Sequence, residues 1–129
     1  MKESSSERPG PRILIVDDQP ANVRLLEHTL KRAGFVDVMS TTDPRQVAAM
    51  HLEHRYDLIV LDLQMPDMDG FAVMAQLRGA VPDPVAILVM SADSAQKSAA
   101  LAAGATSFLA KPYLLGDVVE RVQSVLRGS

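Results

Sequence analysis

Short apolar runs recur five times along the chain, and each of them predicts a β-strand. The first, third and fourth runs are continuously apolar, which is typical of central strands in a parallel sheet that is covered on both faces. The second run is interrupted by Asp37 and therefore predicts an edge strand. The five predicted strands are residues 13–16, 36–39, 58–61, 85–90 and 107–110.

The segments between these runs have the spacing of amphipathic helices. In the first, Val23, Leu26 and Leu30 recur at helical spacing after Pro20, and Gly34 stands where a glycine commonly ends a helix. The other predicted helices cover residues 44–54 and 70–78, a segment that ends at 102–104, and an apolar stripe over 115–126. Strand–helix alternation predicts an α/β fold, a doubly wound parallel sheet with helices on both faces.

Composition narrows the class of protein. With 129 residues the chain is long enough for one domain, which we assign to residues 12–127, after a polar leader, residues 1–11, that we expect to be disordered. A net charge of −3 gives no reason to expect binding of nucleic acid or of a membrane surface by this domain. No apolar run approaches the roughly 20 residues of a membrane-spanning helix. Together with the absence of cysteine, these features predict a cytoplasmic protein.

Charged and polar residues follow the apolar runs at the points where the predicted strands end. Asp17 and Asp18 follow the first run, Asp62 the third, Ser91 the fourth and Lys111 the fifth. In a parallel sheet these ends share one edge, which is where open α/β sheets bind ligands. Carboxylates that share a crevice repel each other unless a cation lies between them. The pattern therefore predicts a divalent metal site with an anion-binding lysine beside it.

Four motifs in this order resemble the receiver domain of bacterial response regulators. They are ILIVDD at 13–18, DLIVLDLQMPDMDG at 57–70, MSA at 90–92 and KPY at 111–113. The resemblance extends over residues 12–127 and implies a flavodoxin-like sheet of order 2-1-3-4-5. Such a site would lie at the switch point between strands 1 and 3.

The resemblance also implies a role for each residue of the predicted metal site. Asp62 would be the phosphoacceptor, and Mg²⁺ would be the cofactor. Asp18 and Asp62 would be direct metal ligands together with the backbone carbonyl of Gln64, and Asp17 would act mainly through water. This assignment agrees with the preference of Mg²⁺ for oxygen ligands.

The remaining roles concern the phosphoryl group and the signal. Lys111 and Ser91 would contact phosphoryl oxygens, and Phe108 would be the aromatic residue of the switch, favouring a buried position. The implied donor is a histidine kinase or a histidine phosphotransfer protein. The implied target is a downstream protein or an attached output domain, reached through the surface of helix 4, strand 5 and helix 5. The pattern fits a free-standing regulator and a receiver within a larger signalling protein equally.

Alternative interpretations concern function and local structure. A Mg²⁺-dependent phosphohydrolase that forms an aspartyl phosphate would need an acid at position 64, where Gln64 stands, and a receiver-like binding domain would not need the full set of acids, lysine and serine. We therefore expect no enzymatic activity beyond self-phosphorylation and self-dephosphorylation.

Locally, Asp17 and Asp18 could cap the first helix. The acids at 67 and 69 are interpreted as solvated loop residues, and Leu114 leaves the fifth helix without an obvious N-cap. The histidines at 28, 51 and 54 are expected on solvent-exposed helix faces.

Overall fold

A computed structural model of the chain describes residues 10–66, 68–80 and 84–128. Most of the expected leader, residues 1–9, lies outside this range, and so does the loop acid Asp67. The assignment of residues 1–11 to a leader and of residues 12–127 to one domain therefore stays a prediction.

Within the described residues, five strands alternate with five helices, as the hydrophobic pattern predicts. Short 3-10 turns, Pro44–Gln46 and Ser94–Gln96, lead into the second and fourth helices. Each observed strand is shifted from its predicted range by at most two residues at either end. The elements are β1 Arg12–Val16, α1 Pro20–Arg32, β2 Asp37–Thr41, α2 Val47–His54, β3 Leu58–Asp62, α3 Gly70–Ala80, β4 Ala86–Ser91, α4 Lys97–Ala102, β5 Ser107–Ala110 and α5 Leu115–Gly128.

The strands form one parallel sheet of order β2-β1-β3-β4-β5, which confirms the predicted fold class. β2 is an edge strand, as the interruption by Asp37 indicates. Val16 pairs with Leu61 across β1 and β3, so the residues that follow each of them reach the same edge together. Asp62 pairs with Met90, the residue before Ser91.

The sheet is packed on both faces because side chains along a strand alternate between them. Leu14 and Val16 belong to one apolar layer, and Ile13 and Ile15 belong to the other. The first layer contains side chains from α2, α3 and α4, whereas the second contains side chains from α1 and α5. All four of these β1 side chains are fully buried, as expected for a central strand.

Two helices, α1 and α4, end at the glycines that the sequence predicts, whereas α5 begins with a cap that the sequence did not predict. Gly34 and Gly104 follow α1 and α4 with φ angles of 106° and 115°, so they supply the left-handed residue that ends a helix. The start of α5 is capped in a way that the sequence pattern did not predict. The Asp117 carboxylate accepts a hydrogen bond from the Leu114 backbone N–H at 3.1 Å, the reciprocal half of a capping box.

His51 corrects our expectation that it lies on the solvent-exposed face of the second helix. Only 5% of its surface is exposed, and its ring stacks on Tyr56 with ring centroids 5.9 Å apart. His51 Nδ1 accepts a hydrogen bond from the Tyr56 backbone N–H at 3.1 Å. The intervening Arg55 adopts a left-handed conformation with φ 56°, which turns the chain back over α2. His28, by contrast, is exposed as expected.

This arrangement predicts a pH dependence of folding stability. Burial, and then the charge of Arg55, lower the pKa of His51 below its ordinary value of 6.5. The unfolded chain therefore takes up a proton on His51 at a higher pH than the folded chain does. We expect the free energy of unfolding to fall as the pH drops below about 6.5 toward the folded pKa.

Chemical unfolding at several pH values would measure this slope. His51→Gln should reduce it, because glutamine does not titrate, and His28→Gln should leave it unchanged. An equal slope in the wild type and in His51→Gln would contradict the prediction.

Candidate functional site

Three carboxylates meet at the carboxyl edge of the sheet, beside the switch point between β1 and β3. One oxygen from each of Asp17, Asp18 and Asp62 lies within 4.8 Å of the others. Asp17 and Asp62 are 1% and 3% exposed, whereas Asp18 is half-buried. The register of β1 and β3 brings these residues together, because each follows or ends one of two paired strands.

The electrostatics of Asp17 reflect this crowding. Burial raises the pKa of Asp17, and the nearby charges of Asp62 and Asp18 raise it further. A hydrogen bond from the Gln19 backbone N–H to Asp17 Oδ1, at 2.9 Å, and the positive charge of Lys111 act in the opposite direction. A bound divalent cation would relieve the repulsion that these carboxylates impose on one another.

Lys111 lies beside Asp62, as the sequence predicts. Its Nζ is 3.4 Å from Asp62 Oδ2, and its side chain is about a quarter exposed. Its backbone N–H donates to the Ser91 carbonyl at 2.8 Å, which fixes the start of the loop after β5 against the end of β4. One lysine charge can balance only one of the three carboxylates, which leaves room for a cation in the cluster.

The loop that follows Asp62 is held close to the carboxylate. The Gln64 backbone N–H donates to Asp62 Oδ1 at 3.1 Å, and the Leu63 N–H donates to the Met90 carbonyl at 3.1 Å. Gly70, the first residue of α3, packs directly on this loop. A β-carbon at position 70 would lie 2.9 Å from Leu63 Cα and 3.0 Å from the Asp62 carbonyl oxygen.

Ser91 is fully buried at the end of β4, and its hydroxyl already has two partners. It accepts a hydrogen bond from the Asp93 backbone N–H at 3.0 Å and donates one to Gln96 Oε1 at 2.8 Å. The sequence pattern did not single out Gln96, because no motif marks it and the contact depends on the turn before α4.

Phe108 is buried in β5, the position that we predicted for it. It belongs to the same apolar layer as Ala100 of α4 and Ala105, which precedes β5. Arg121 of α5 donates to the Phe108 carbonyl at 2.6 Å and to the Ser107 hydroxyl at 3.0 Å. Phe108 therefore links β5 to α4 and to α5, the elements that form the predicted output surface.

Tyr113 is a neighbour of the site that sequence reasoning missed. Burial raises the pKa of Tyr113, and the negative charges of Asp17 and Asp62 raise it further. The phenol therefore remains protonated near the carboxylates at neutral pH.

The structure separates site acids from acids with structural roles. The idea that Asp17 and Asp18 cap α1 is wrong, because α1 begins after Gln19 without a side-chain cap. Asp69 is exposed and accepts a hydrogen bond from the Ala72 backbone N–H at 2.9 Å, so it caps α3. This agrees with its interpretation as a solvated loop acid.

The donor atoms of the cluster fit Mg²⁺. Three carboxylates supply the hard oxygen ligands that this ion prefers, and Gln64, whose backbone carbonyl we predicted as a further ligand, is two residues after Asp62. A cavity of about 790 Å³ lies at the opposite edge of the sheet, lined by residues that include Phe35, Asp57 and Arg127. Among the described residues that line this cavity Asp57 is the single acid, and its carboxylate accepts a hydrogen bond from the Arg12 backbone N–H at 2.8 Å.

Comparison with known proteins supports one family. The model of the response regulator receiver domain matches residues 13–123. The transcriptional regulatory protein PrrA of Mycobacterium tuberculosis is 40% identical over 120 residues, which are 92% of this chain and 51% of that protein. The alkaline phosphatase synthesis transcriptional regulatory protein PhoP of Bacillus subtilis is 34% identical over 92% of this chain and 49% of its own length. The chain thus spans about half the length of these curated relatives, which are named as transcriptional regulators rather than as enzymes.

Solved structures agree on the fold. The receiver domain of the Francisella response regulator 1452 has a TM-score of 0.83 at 23% identity, covering 92% of this chain and 98% of that one. The response regulator protein TrrA of Thermotoga maritima, solved in complex with Mg²⁺ and BeF, has a TM-score of 0.79 at 26% identity, covering 90% and 99%. Among the described residues, the helices are too short or too polar to cross a membrane. The chain belongs to the receiver domain family of two-component response regulators.

Proposed function

We propose that this domain accepts a phosphoryl group on Asp62 and works as a signalling switch. The observation that carries the proposal is the position of Asp62, nearly buried, within a cluster of three carboxylates and 3.4 Å from Lys111 Nζ. In the reaction, a carboxylate oxygen of Asp62 forms a bond to phosphorus while the bond between phosphorus and a histidine nitrogen of the donor breaks. Such a transfer depends mainly on positioning and on charge neutralisation, which this arrangement supports.

The metal ligands that we propose are Asp18, Asp62 and the backbone carbonyl of Gln64, with Asp17 acting through water. Bound Mg²⁺ would neutralise the charge that builds up between the carboxylates and the incoming phosphoryl group. The Gln64 backbone N–H keeps Asp62 Oδ1 in a fixed direction, so the carboxylate cannot rotate freely. Asp17 is in turn held by the Gln19 N–H.

Lys111 and Ser91 would hold the phosphoryl oxygens. Lys111 supplies a positive charge on the side of Asp62 Oδ2, and Ser91 supplies a hydroxyl at the end of the adjacent strand. If the Ser91 hydroxyl moves toward the phosphoryl group, the loop after β4 moves with it. We propose that Phe108 follows this movement by repacking beside Ala100.

A phosphoacceptor site requires a donor of the phosphoryl group and a target that responds to it. We propose a histidine kinase or a histidine phosphotransfer protein as the donor, and the surface of α4, β5 and α5 as the surface that controls a downstream protein or an attached output domain. Leu101 and Leu114 are large apolar side chains exposed on or beside these elements, and Leu114 is 74% exposed. The relatives are longer than this chain and are named as transcriptional regulators, which supports an attached output domain as one of these two targets.

Phosphorylation with a small phosphodonor would test the proposal directly. We expect incubation with Mg²⁺ and acetyl phosphate to modify the protein on Asp62, which mass spectrometry of the intact protein and its peptides would detect. A phosphohydrolase would instead release inorganic phosphate from added substrates over many cycles. A binding domain without phosphorylation would remain unmodified, and that result would contradict the proposal.

Removing the charge of Asp17 should stabilise the metal-free fold and weaken metal binding. Its pKa is raised by burial and by its acidic neighbours, so its charge destabilises the metal-free fold at neutral pH. Asp17→Asn retains the oxygen that accepts the Gln19 N–H but removes the charge. We expect it to raise the free energy of unfolding without Mg²⁺, and to weaken Mg²⁺ binding by roughly 10–100-fold.

Chemical unfolding and calorimetric Mg²⁺ titration would measure the two effects. The exposed Asp69→Asn serves as a matched control, because asparagine also caps a helix, and it should alter neither quantity. Loss of stability in metal-free Asp17→Asn would show that the charge is compensated in the free protein, contrary to this expectation.

A further inference from the structure

The side-chain hydroxyl of Ser91 can change its hydrogen-bond partners, whereas the backbone of Ser91 is held in the sheet. Its backbone carbonyl accepts the Lys111 N–H at 2.8 Å, and its strand pairs with neighbours on both sides. The side chain is fully buried, so solvent does not compete for it. If the hydroxyl loses one hydrogen bond when the protein changes state, it must therefore form another with a group inside the protein.

The hydroxyl proton is already committed to Gln96. A serine hydroxyl has a single proton to donate, and Ser91 donates it to Gln96 Oε1 at 2.8 Å while accepting the Asp93 N–H at 3.0 Å. To donate to a phosphoryl oxygen on Asp62, Ser91 must first release Gln96. The two acceptors exclude each other.

Gln96 connects this choice to α4. It is the last residue of the turn Ser94–Gln96 and directly precedes α4, but its side chain makes no capping bond to that helix. α4 has six residues, and Ala100 is the buried residue among them, so little apolar packing anchors it. The bond between Ser91 and Gln96 is thus a side-chain link between the end of β4 and the start of α4.

We propose that Gln96 is a positioning residue that holds the Ser91 hydroxyl in the resting arrangement and competes with a phosphoryl group on Asp62 for it. The inference rests on the proposed function and adds the residue that opposes activation. Removing the glutamine acceptor raises the free energy of the resting state alone, because the activated state does not use that bond. The population of the activated arrangement, and with it the affinity for a phosphoryl group, then increases.

Binding of beryllofluoride in saturating Mg²⁺ tests this competition, with the dissociation constant followed by NMR titration. We expect Gln96→Ala to bind beryllofluoride about fivefold more tightly than the wild type, the change that corresponds to one neutral hydrogen bond. Gln96→Glu retains an acceptor oxygen of the same reach, so it should not show this tightening. The exposed Gln76→Ala in α3 is the matched control and should bind like the wild type.

A double-mutant cycle separates this role from a merely structural one. In a Ser91→Ala background there is no hydroxyl to compete for, so Gln96→Ala should no longer change the affinity for beryllofluoride. Affinity for Mg²⁺ alone should be equal in the wild type, Gln96→Ala and Gln76→Ala, since neither substitution changes a charge or a proposed metal ligand. An unchanged affinity in Gln96→Ala, or a tightening that persists without the serine hydroxyl, would overturn the inference while leaving the proposed function intact. A wild-type protein that binds Mg²⁺ but no beryllofluoride would instead contradict the proposed function, and this inference with it.

Discussion

We expect the Asp62→Asn variant to take up no phosphoryl group from acetyl phosphate or from a phosphorylated histidine donor under conditions that label the wild type. An amide is not a nucleophile toward phosphorus, and its oxygen carries no negative charge for a metal ion. The change should therefore remove labelling completely rather than slow it. Radiolabel incorporation, or the mass of the intact protein, would measure the loss.

The fold should survive this substitution. Asparagine has the same shape as aspartate and still offers an oxygen to the Gln64 N–H, so the loop after β3 can remain in place. Removing one of three crowded carboxylates also reduces their repulsion. Asp69→Asn, a change of the same kind in an exposed loop, should label normally. Labelling of Asp62→Asn at the wild-type stoichiometry would refute the assignment of the phosphoacceptor.

The second large effect is expected at Gly70, where an added methyl group has no room. A β-carbon there would lie 2.7 Å from Leu63 Cδ2, 2.9 Å from Leu63 Cα and 3.0 Å from the Asp62 carbonyl oxygen. The leucine methyl group can rotate away, but the two backbone atoms cannot move without shifting the loop. We expect Gly70→Ala to lower the free energy of unfolding by about 1–3 kcal/mol, as overpacking of a core typically does.

The matched control is Gly79→Ala in the same helix. A β-carbon at position 79 meets no atom within 4 Å, and the residue is exposed. Alanine should therefore stabilise α3 there by about 0.5–1 kcal/mol, because it loses less backbone freedom than glycine on folding. Urea unfolding would measure both changes.

The two glycine variants should also differ at the site. Because the displaced backbone is that of Asp62 and Leu63, Gly70→Ala should weaken Mg²⁺ binding, whereas Gly79→Ala should not. Equal stability of the two variants would mean that the loop yields to the added methyl group at little cost.

The architecture was largely predictable because it depends on local periodicity. A run of four apolar residues without alternation, such as Ile13–Val16, must be covered on both faces, and this requires a sheet with helices on each side. Gly34 and Gly104 end helices for the same local reason, since their φ angles are unfavourable for residues with a side chain. The order of the strands came from the resemblance of four motifs to receiver domains, and the structure confirms it.

The composition of the site was predictable for a related reason. In a parallel sheet, the residues after each strand lie at one edge, so the sequence predicts that Asp17, Asp62 and Lys111 share that edge, while the strand order decides how near they are. Their positions at the ends of predicted strands therefore indicate a cation site with a lysine at the same edge. The individual roles of these residues in phosphoryl transfer remain proposals.

The sequence by itself determined the class of fold and the charged groups of the site, since both follow from short-range patterns repeated along the chain. Only the tertiary structure decided which partners the other polar groups have. His51 is buried because the turn at Arg55 folds the Tyr56 N–H back onto it, and Gln96 reaches the Ser91 hydroxyl because of the shape of one turn. Gly70 is constrained by backbone atoms of Leu63 and Asp62, seven and eight residues earlier. Such contacts depend on the path of the chain in space, which periodicity does not encode.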